Sequence, residues 1–276
     1  MDGISLSFNP VSDIFFFNFL TKMTLLDAIL LGIIQGLTEF LPISSSGHLV
    51  LGQMILDVKL PGNGFEVVTH LGTLLSVICI FYKEISSLIL NITDKETRKY
   101  IFYLMLGTIP AVIIGFGTKS YISELFDSTQ AVSIALMFTG LILFFSQKVK
   151  KSSVPIDHKK ALLIGITQAI AIIPGISRSG ITICTALALG ISGKNAAKFS
   201  FLLSIPAISG AGLLMALDSQ SNLTIIPFSS LVVAFLSSFV VGYVSLKWLL
   251  NLLESGKFYF FGYYCFVIGL TVLVFF

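Results

Sequence analysis

Six apolar stretches of bilayer length decide what this chain can fold into. They lie at roughly 65–82, 100–118, 131–147, 199–217, 225–247 and 258–276, each close to the run of about 20 residues that a helix needs to cross a membrane. A backbone in hydrocarbon must satisfy its own hydrogen bonds, so an all-α integral membrane protein is the predicted fold class. Composition agrees, with 55% hydrophobic and 11% charged residues and a mean hydropathy of +0.96, where a soluble domain carries about 25% charge. The net charge of +3 comes from a few short lysine clusters of the kind that face anionic lipid, and it calls for no nucleic-acid partner. No linker rich in Pro, Ser or charge divides the 276 residues, so one membrane domain over 1–276 is expected. Residues 1–23 read as an N-terminal extension: "DIFFFNFL" follows Asp2 rather than a basic residue, and no small-residue cleavage site succeeds it. Cys79, Cys184 and Cys265 stand singly in apolar runs and are expected to be small buried hydrophobes.

Two further apolar stretches, 24–41 and 161–176, end in the breaks "PISSSGH" and "PGISRSG". Broken backbone at membrane depth is tolerated only where protein or a water-filled cavity surrounds it, so both are predicted to be re-entrant. Basic residues in short loops set the orientation. Lys83, Lys95, Arg98 and Lys99 share one side with Lys148, Lys150, Lys151, Lys159 and Lys160, while the other side offers only Lys119. The basic side is expected to be cytoplasmic, which places both termini outside.

The chain also repeats itself. "GIIQGLTEFLPISSSGHLV" (32–50) set above "GITQAIAIIPGISRSGITI" (165–183) pairs Gly32 with Gly165, Gln35 with Gln168, Ser44 with Ser177, Ser46 with Ser179 and Gly47 with Gly180 at a constant offset. Three crossings follow each copy, so an inverted-topology repeat is predicted, with halves at about 24–150 and 158–276 and six transmembrane helices besides the two re-entrant elements. In such folds the broken elements meet near the bilayer midplane and build the site together.

The copies differ where they carry charge. Glu39 and His48 belong to the first, Arg178 to the second. Gln35 and Glu39 share a helical face, as do Arg178 and Thr182, so both pairs can aim into one cavity. A carboxylate inside a membrane segment is costly and marks function by default, and Arg178 is one of only two arginines, the other, Arg98, lying in a polar loop. His70 can pack or hydrogen-bond inside the first crossing, and Glu66 can be interfacial or line a cavity mouth. Serine hydroxyls, glycines that turn backbone N–H groups inward and a planar guanidinium suit phosphate, and a divalent cation commonly stands between that anion and a carboxylate. These residues point to metal-assisted phosphoryl chemistry. A transporter or lipid flippase is the alternative, since inverted repeats with broken helices serve that class too; a structural scaffold leaves Glu39 and Arg178 without a purpose.

The motifs "QGLTEFLPISSSGH" and "PGISRSGITI", with "FEVVTHLGTLL" and "FSFLLSIPA", resemble the undecaprenyl-diphosphate phosphatase (bacitracin-resistance protein) family over nearly the whole chain after the extension. The resemblance implies hydrolysis of a polyprenyl diphosphate to the monophosphate and inorganic phosphate, recycling a lipid carrier for cell-wall polymers. It implies a divalent cation, Mg2+ or Ca2+, a multi-pass protein of the bacterial cytoplasmic membrane and an extracytoplasmic site. Its catalytic residues fall on Glu39, Ser45, His48 and Arg178, with Glu39 as metal ligand. Phosphate contacts fall on Gln35, Ser44, Ser46, Gly47, Ser177, Ser179, Gly180 and Thr182. Gln35 stands where many members have glutamate, so a two-carboxylate metal site is not implied. The nucleophile stays open between Ser45, His48 and water, with Ser45 ranked first. The expected partners are the lipid substrate and membrane lipid, and a homodimer is left open.

Overall fold

The computed structural model describes residues 23–58, 60, 64–118, 124–126, 128–147, 152–217, 226–254 and 256–275; the N-terminal extension up to residue 22 lies outside them. All regular structure among the described residues is helical: α1 (Leu25–Phe40), α2 (Ser45–Ile55), α3 (Gly64–Ile80), α4 (Tyr82–Leu90), α5 (Lys95–Gly117), α6 (Thr129–Ser146), α7 (His158–Ile170), α8 (Arg178–Ala188), α9 (Gly193–Leu217), α10 (Phe228–Glu254) and α11 (Phe260–Phe275). By length and composition α5, α6, Gly193–Leu214 of α9 and Phe228–Leu253 of α10 can each cross a bilayer. The chain is a multi-pass, all-α membrane protein.

The expected first crossing at 65–82 is not straight. α3 and α4 qualify as a span only together and are bent by 73°. Phe81 sits at the break, buried at 5% exposure and packed on Phe201 at 6.2 Å. Lys83 and Glu84 follow at once, and no residue of α4 is buried, so the chain turns to keep these charges out of hydrocarbon. α11 has 16 residues, shorter than the stretch read at 258–276. Cys184 and Cys265 are buried as expected, but Cys79 is exposed: apolar sequence in a membrane protein does not separate lipid-facing positions from core ones.

Both expected breaks are present, and their ends are set locally. Leu41 leaves the helical region at ψ 143 because the ring of Pro42 crowds a helical predecessor. α2 then starts under Ser44, whose Oγ accepts from Gly47 N at 3.3 Å and lies 3.2 Å from Ser46 Oγ. α8 starts in the same way, with Ser177 Oγ accepting from Gly180 N at 3.1 Å and 3.2 Å from Ser179 Oγ. Ser44 takes a positive φ of 68°, and the second break places Gly175 at φ 96°, where a side chain is strained.

The breaks cross one another and are walled by protein. Gly47 faces Gly175 Cα, so closely that a Cβ at Gly47 would lie 3.2 Å from it, and a Cβ at Gly180 would lie 3.2 Å from Pro42 Cβ. Pro42 O accepts from Cys265 Sγ on α11 at 3.5 Å, while Gly175 O accepts from Thr139 Oγ1 on α6 at 3.0 Å. Exposed carbonyls that would be intolerable in lipid are thereby satisfied. Around this centre α1 packs along α10, α7 along α5, and α6 along α11. Glycine permits the close approaches: a Cβ at Gly32 would meet Ala234 O at 2.6 Å, and one at Gly165 would meet Gly107 O at 2.3 Å. Asp157, outside the bundle, caps α7, and the Lys160 side chain that bonds to it holds its carboxyl down at about 2.

Candidate active site

Glu39, one residue before the end of α1, is the hub. Its neighbour Phe40 is fully buried against Phe201 at 5.6 Å, which anchors the helix end. Only 4% of the Glu39 side chain is exposed. Oε1 accepts from Arg178 Nη2 at 2.5 Å. Oε2 accepts from Gln35 Nε2 at 2.9 Å and from Ser45 Oγ at 2.7 Å, and His70 Nε2 stands 3.3 Å away. Burying a lone carboxylate is expensive, and here the Arg178 guanidinium, the His70 imidazole and two neutral donors surround it. Arg178 and Ser45 hold equivalent places, each one residue after the capping serine of its broken element, so the two breaks deliver a cation and a hydroxyl to one carboxylate.

The paired serines bond within the protein. Ser177 and Ser179 are buried, cap α8 and bond to each other, and Ser179 Oγ also donates to Leu41 O at 3.3 Å. Thr182 Oγ1 bonds Ser200 Oγ at 2.7 Å and Arg178 O at 2.7 Å. It therefore turns to α9 and does not share a cavity with the Arg178 guanidinium. Ser44, Ser46, Gly47 and Gly180 belong to the two helix starts, where the Gly47 and Gly180 N–H groups are taken by the capping hydroxyls of Ser44 and Ser177 and the helix dipole remains to favour an anion. His48 points away from Ser45: its Nδ1 lies 2.8 Å from Ser44 O, and its Nε2 lies 3.0 Å from the hydroxyl of Tyr264, on which the ring stacks at 5.6 Å.

His70 and Tyr264 are the residues sequence reasoning missed. "FEVVTHLG" carried His70 in view, but nothing in its spacing connects it to a carboxylate 31 residues earlier. Glu66 accepts from Gln53 Nε2 at 2.6 Å and lies beside the site rather than in it.

Three buried polar atoms have no protein partner there: Arg178 Nη1, Gln35 Oε1 and Glu66 Oε2. Such atoms are rare in folded proteins and ask for a ligand or water. Nη1 suits a phosphate oxygen, and Gln35 Oε1 beside Glu39 suits a cation. No group of three or more His, Cys, Asp or Glu is arranged for a metal among the described residues. Mg2+ at phosphate sites, however, is commonly held by one or two carboxylates, waters and the phosphate itself. Glu39 and Gln35 Oε1 fit that donor set.

A carboxylate, a guanidinium and a serine hydroxyl gathered from two broken helices make this a helical membrane protein with a buried charged centre inside its bundle. The chain belongs to the family described as bacitracin resistance protein BacA, whose model matches residues 28–271. Among similar proteins, one from Korarchaeum cryptofilum named undecaprenyl-diphosphatase is 39% identical over 263 residues, spanning 91% of this chain and 99% of that one. One of the same name from Carboxydothermus hydrogenoformans is 40% identical over 91% of this chain and 97% of its own. Another, from Christiangramia forsetii, is 41% identical over 92% and 98%.

Proposed function

We propose that the protein is a membrane phosphatase that hydrolyses undecaprenyl diphosphate, or a polyprenyl diphosphate like it, to the monophosphate and inorganic phosphate. Family membership and the names of the relatives support this reading; they lend none to a transporter. The observation that carries the chemistry is Ser45 Oγ donating to Glu39 Oε2 at 2.7 Å, a nucleophile already bonded to its base. Glu39 takes the hydroxyl proton as Oγ attacks the terminal phosphorus. The bond to the bridging oxygen breaks, and Glu39 passes that proton to the bridging oxygen of the prenyl phosphate as it leaves, which frees the carboxylate for the second step. Water then attacks the phosphoserine, passing a proton to Glu39, and phosphate departs with the seryl oxygen reprotonated. Arg178 Nη1 grips the terminal phosphate, with the N–H groups at the starts of α2 and α8 beside it. A divalent cation, Mg2+ or Ca2+, would be held by Glu39 and Gln35 and would supply neutralisation of the diphosphate charge. His48, braced between Ser44 and Tyr264, stands one turn beyond Ser45 and has no part in activating it.

The reading extends to the whole molecule. The reciprocal contacts of the breaks, Gly47 on Gly175 and Gly180 on Pro42, support an inverted repeat, and the lysine clusters support six crossings with the site opening outward from a bacterial cytoplasmic membrane. Phosphate release from a prenyl diphosphate by purified protein in detergent tests the activity. Release that chelator abolishes and Mg2+ restores is the expected result; binding without release would overturn the reading.

A further inference from the structure

We infer that His70 is a positioning residue that keeps the Arg178–Glu39 pair one-sided, leaving half of the guanidinium free for phosphate. The inference rests on the phosphatase reading and gives a role to a residue outside the two broken elements.

Arginine and carboxylate normally close on one another through two parallel bonds. Here only Nη2 reaches Glu39, through Oε1 at 2.5 Å, while Nη1 is buried with no partner. The second oxygen is not available to it: Oε2 is already engaged by Gln35, Ser45 and His70. Two of those donors are neutral and sit on α1 itself or on α2 directly after the break. His70 comes from α3 and is the only one of the three fixed from a separate element. Its Nδ1 lies 2.6 Å from Glu66 O and its Nε2 3.3 Å from Glu39 Oε2. The ring is therefore held between the backbone of its own helix at one nitrogen and the Glu39 carboxylate at the other.

The arrangement has a direct consequence for binding. With His70 in place, the Glu39 carboxylate is pulled toward Ser45 and presents one oxygen to arginine. Without it, the carboxylate is free to turn both oxygens to the guanidinium, and the closed pair competes with phosphate for Arg178. Loss of His70 should therefore weaken the grip on phosphate more than it slows the bond-breaking step.

The test uses purified full-length protein in detergent, with inorganic phosphate and methylene diphosphonate as probes. Calorimetric affinity and competitive inhibition are measured for wild type, His70→Leu and His70→Gln, alongside KM and kcat for a prenyl diphosphate. His70→Leu, which keeps bulk and loses both ring nitrogens, should bind phosphate roughly tenfold more weakly, with KM raised more than kcat is lowered. His70→Gln, which restores an N–H donor at similar reach, should recover affinity to within about threefold of wild type. If the leucine variant does not fold, His70→Ala with and without added imidazole takes its place, and imidazole should restore phosphate affinity because the His70 side chain is 26% exposed. A folded His70→Leu protein with wild-type phosphate affinity would overturn the inference, as would a glutamine variant or an imidazole-supplemented alanine variant as weak as the unrescued one. Wild-type protein that neither binds nor releases phosphate would instead overturn the phosphatase reading beneath it.

Discussion

Arg178 carries the greatest burden of any side chain, because it compensates a buried carboxylate and must also meet a multiply charged substrate. Replacing it with lysine keeps the charge but loses the planar fork, so kcat should fall by roughly one to two orders of magnitude, about 1.4 to 2.8 kcal/mol of transition-state stabilisation. Arg178→Ala should fall further, since Glu39 would lose its guanidinium partner and, on the proposed reading, the phosphate its principal donor. Steady-state turnover with melting temperatures measured alongside checks both. Near-normal turnover in a well-folded Arg178→Ala protein would contradict the shared site. At this scale Glu39, Ser45, Gln35 and Arg178 were legible, because polar groups inside an apolar segment have few reasons to be there. Ser177, Ser179 and Thr182 were legible as polar but not by role: a serine three residues before a glycine N–H reads equally well as a cap or as a phosphate contact. His70 and Tyr264 were beyond reach, since their partners lie 31 and 216 positions away along the chain.

The helices owe their placement to a few glycines more than to their apolar surfaces, which lipid would accept equally well. Gly165→Ala would drive a Cβ to within 2.3 Å of Gly107 O, a backbone atom that cannot move aside alone, and Gly32→Ala would meet Ala234 O at 2.6 Å. Each should cost about 1–3 kcal/mol through overpacking. Gly117→Ala, with nothing within 4 Å of its added methyl, is the matched control. Thermal unfolding of the three variants in detergent should show a lowered midpoint for the first two and little change for the third. Pro42 and the Pro174–Gly175 pair made both breaks readable from sequence because each is joined by further serines and glycines; proline alone does not decide it, since Pro110 and Pro206 lie inside α5 and α9. The 73° bend between α3 and α4 was not readable, as it depends on where Phe81 finds Phe201 rather than on any helix breaker.

Across the whole molecule, orientation follows from charge. Glu124 and Ser152 are both exposed and lie on opposite sides in the proposed topology. With Cys79, Cys184 and Cys265 replaced, a membrane-impermeant maleimide should label a cysteine at 124 in intact cells and spare one at 152; the reverse pattern would invert the assignment. Replacing Cys79 matters most, because it alone of the three is exposed. The proposed repeat is carried in the sequence by a register of glycines and serines. The packing it leads to, with α1 against α10 and α7 against α5, was not, because sequence similarity between halves does not say which helix of one half receives which helix of the other.

The unlike residues at matched positions have a bearing on robustness. Duplication ordinarily leaves a spare, and damage to one copy can be covered by the other. Ile172 stands where the register of the halves would repeat Glu39, and Arg178 stands where it would repeat Ser45, so neither half retains a full set. Gln168, the counterpart of Gln35, is buried with both amide atoms unpartnered. On the proposed reading each signature supplies a group that the other lacks, so a lesion in either should abolish turnover with no second copy to cover it.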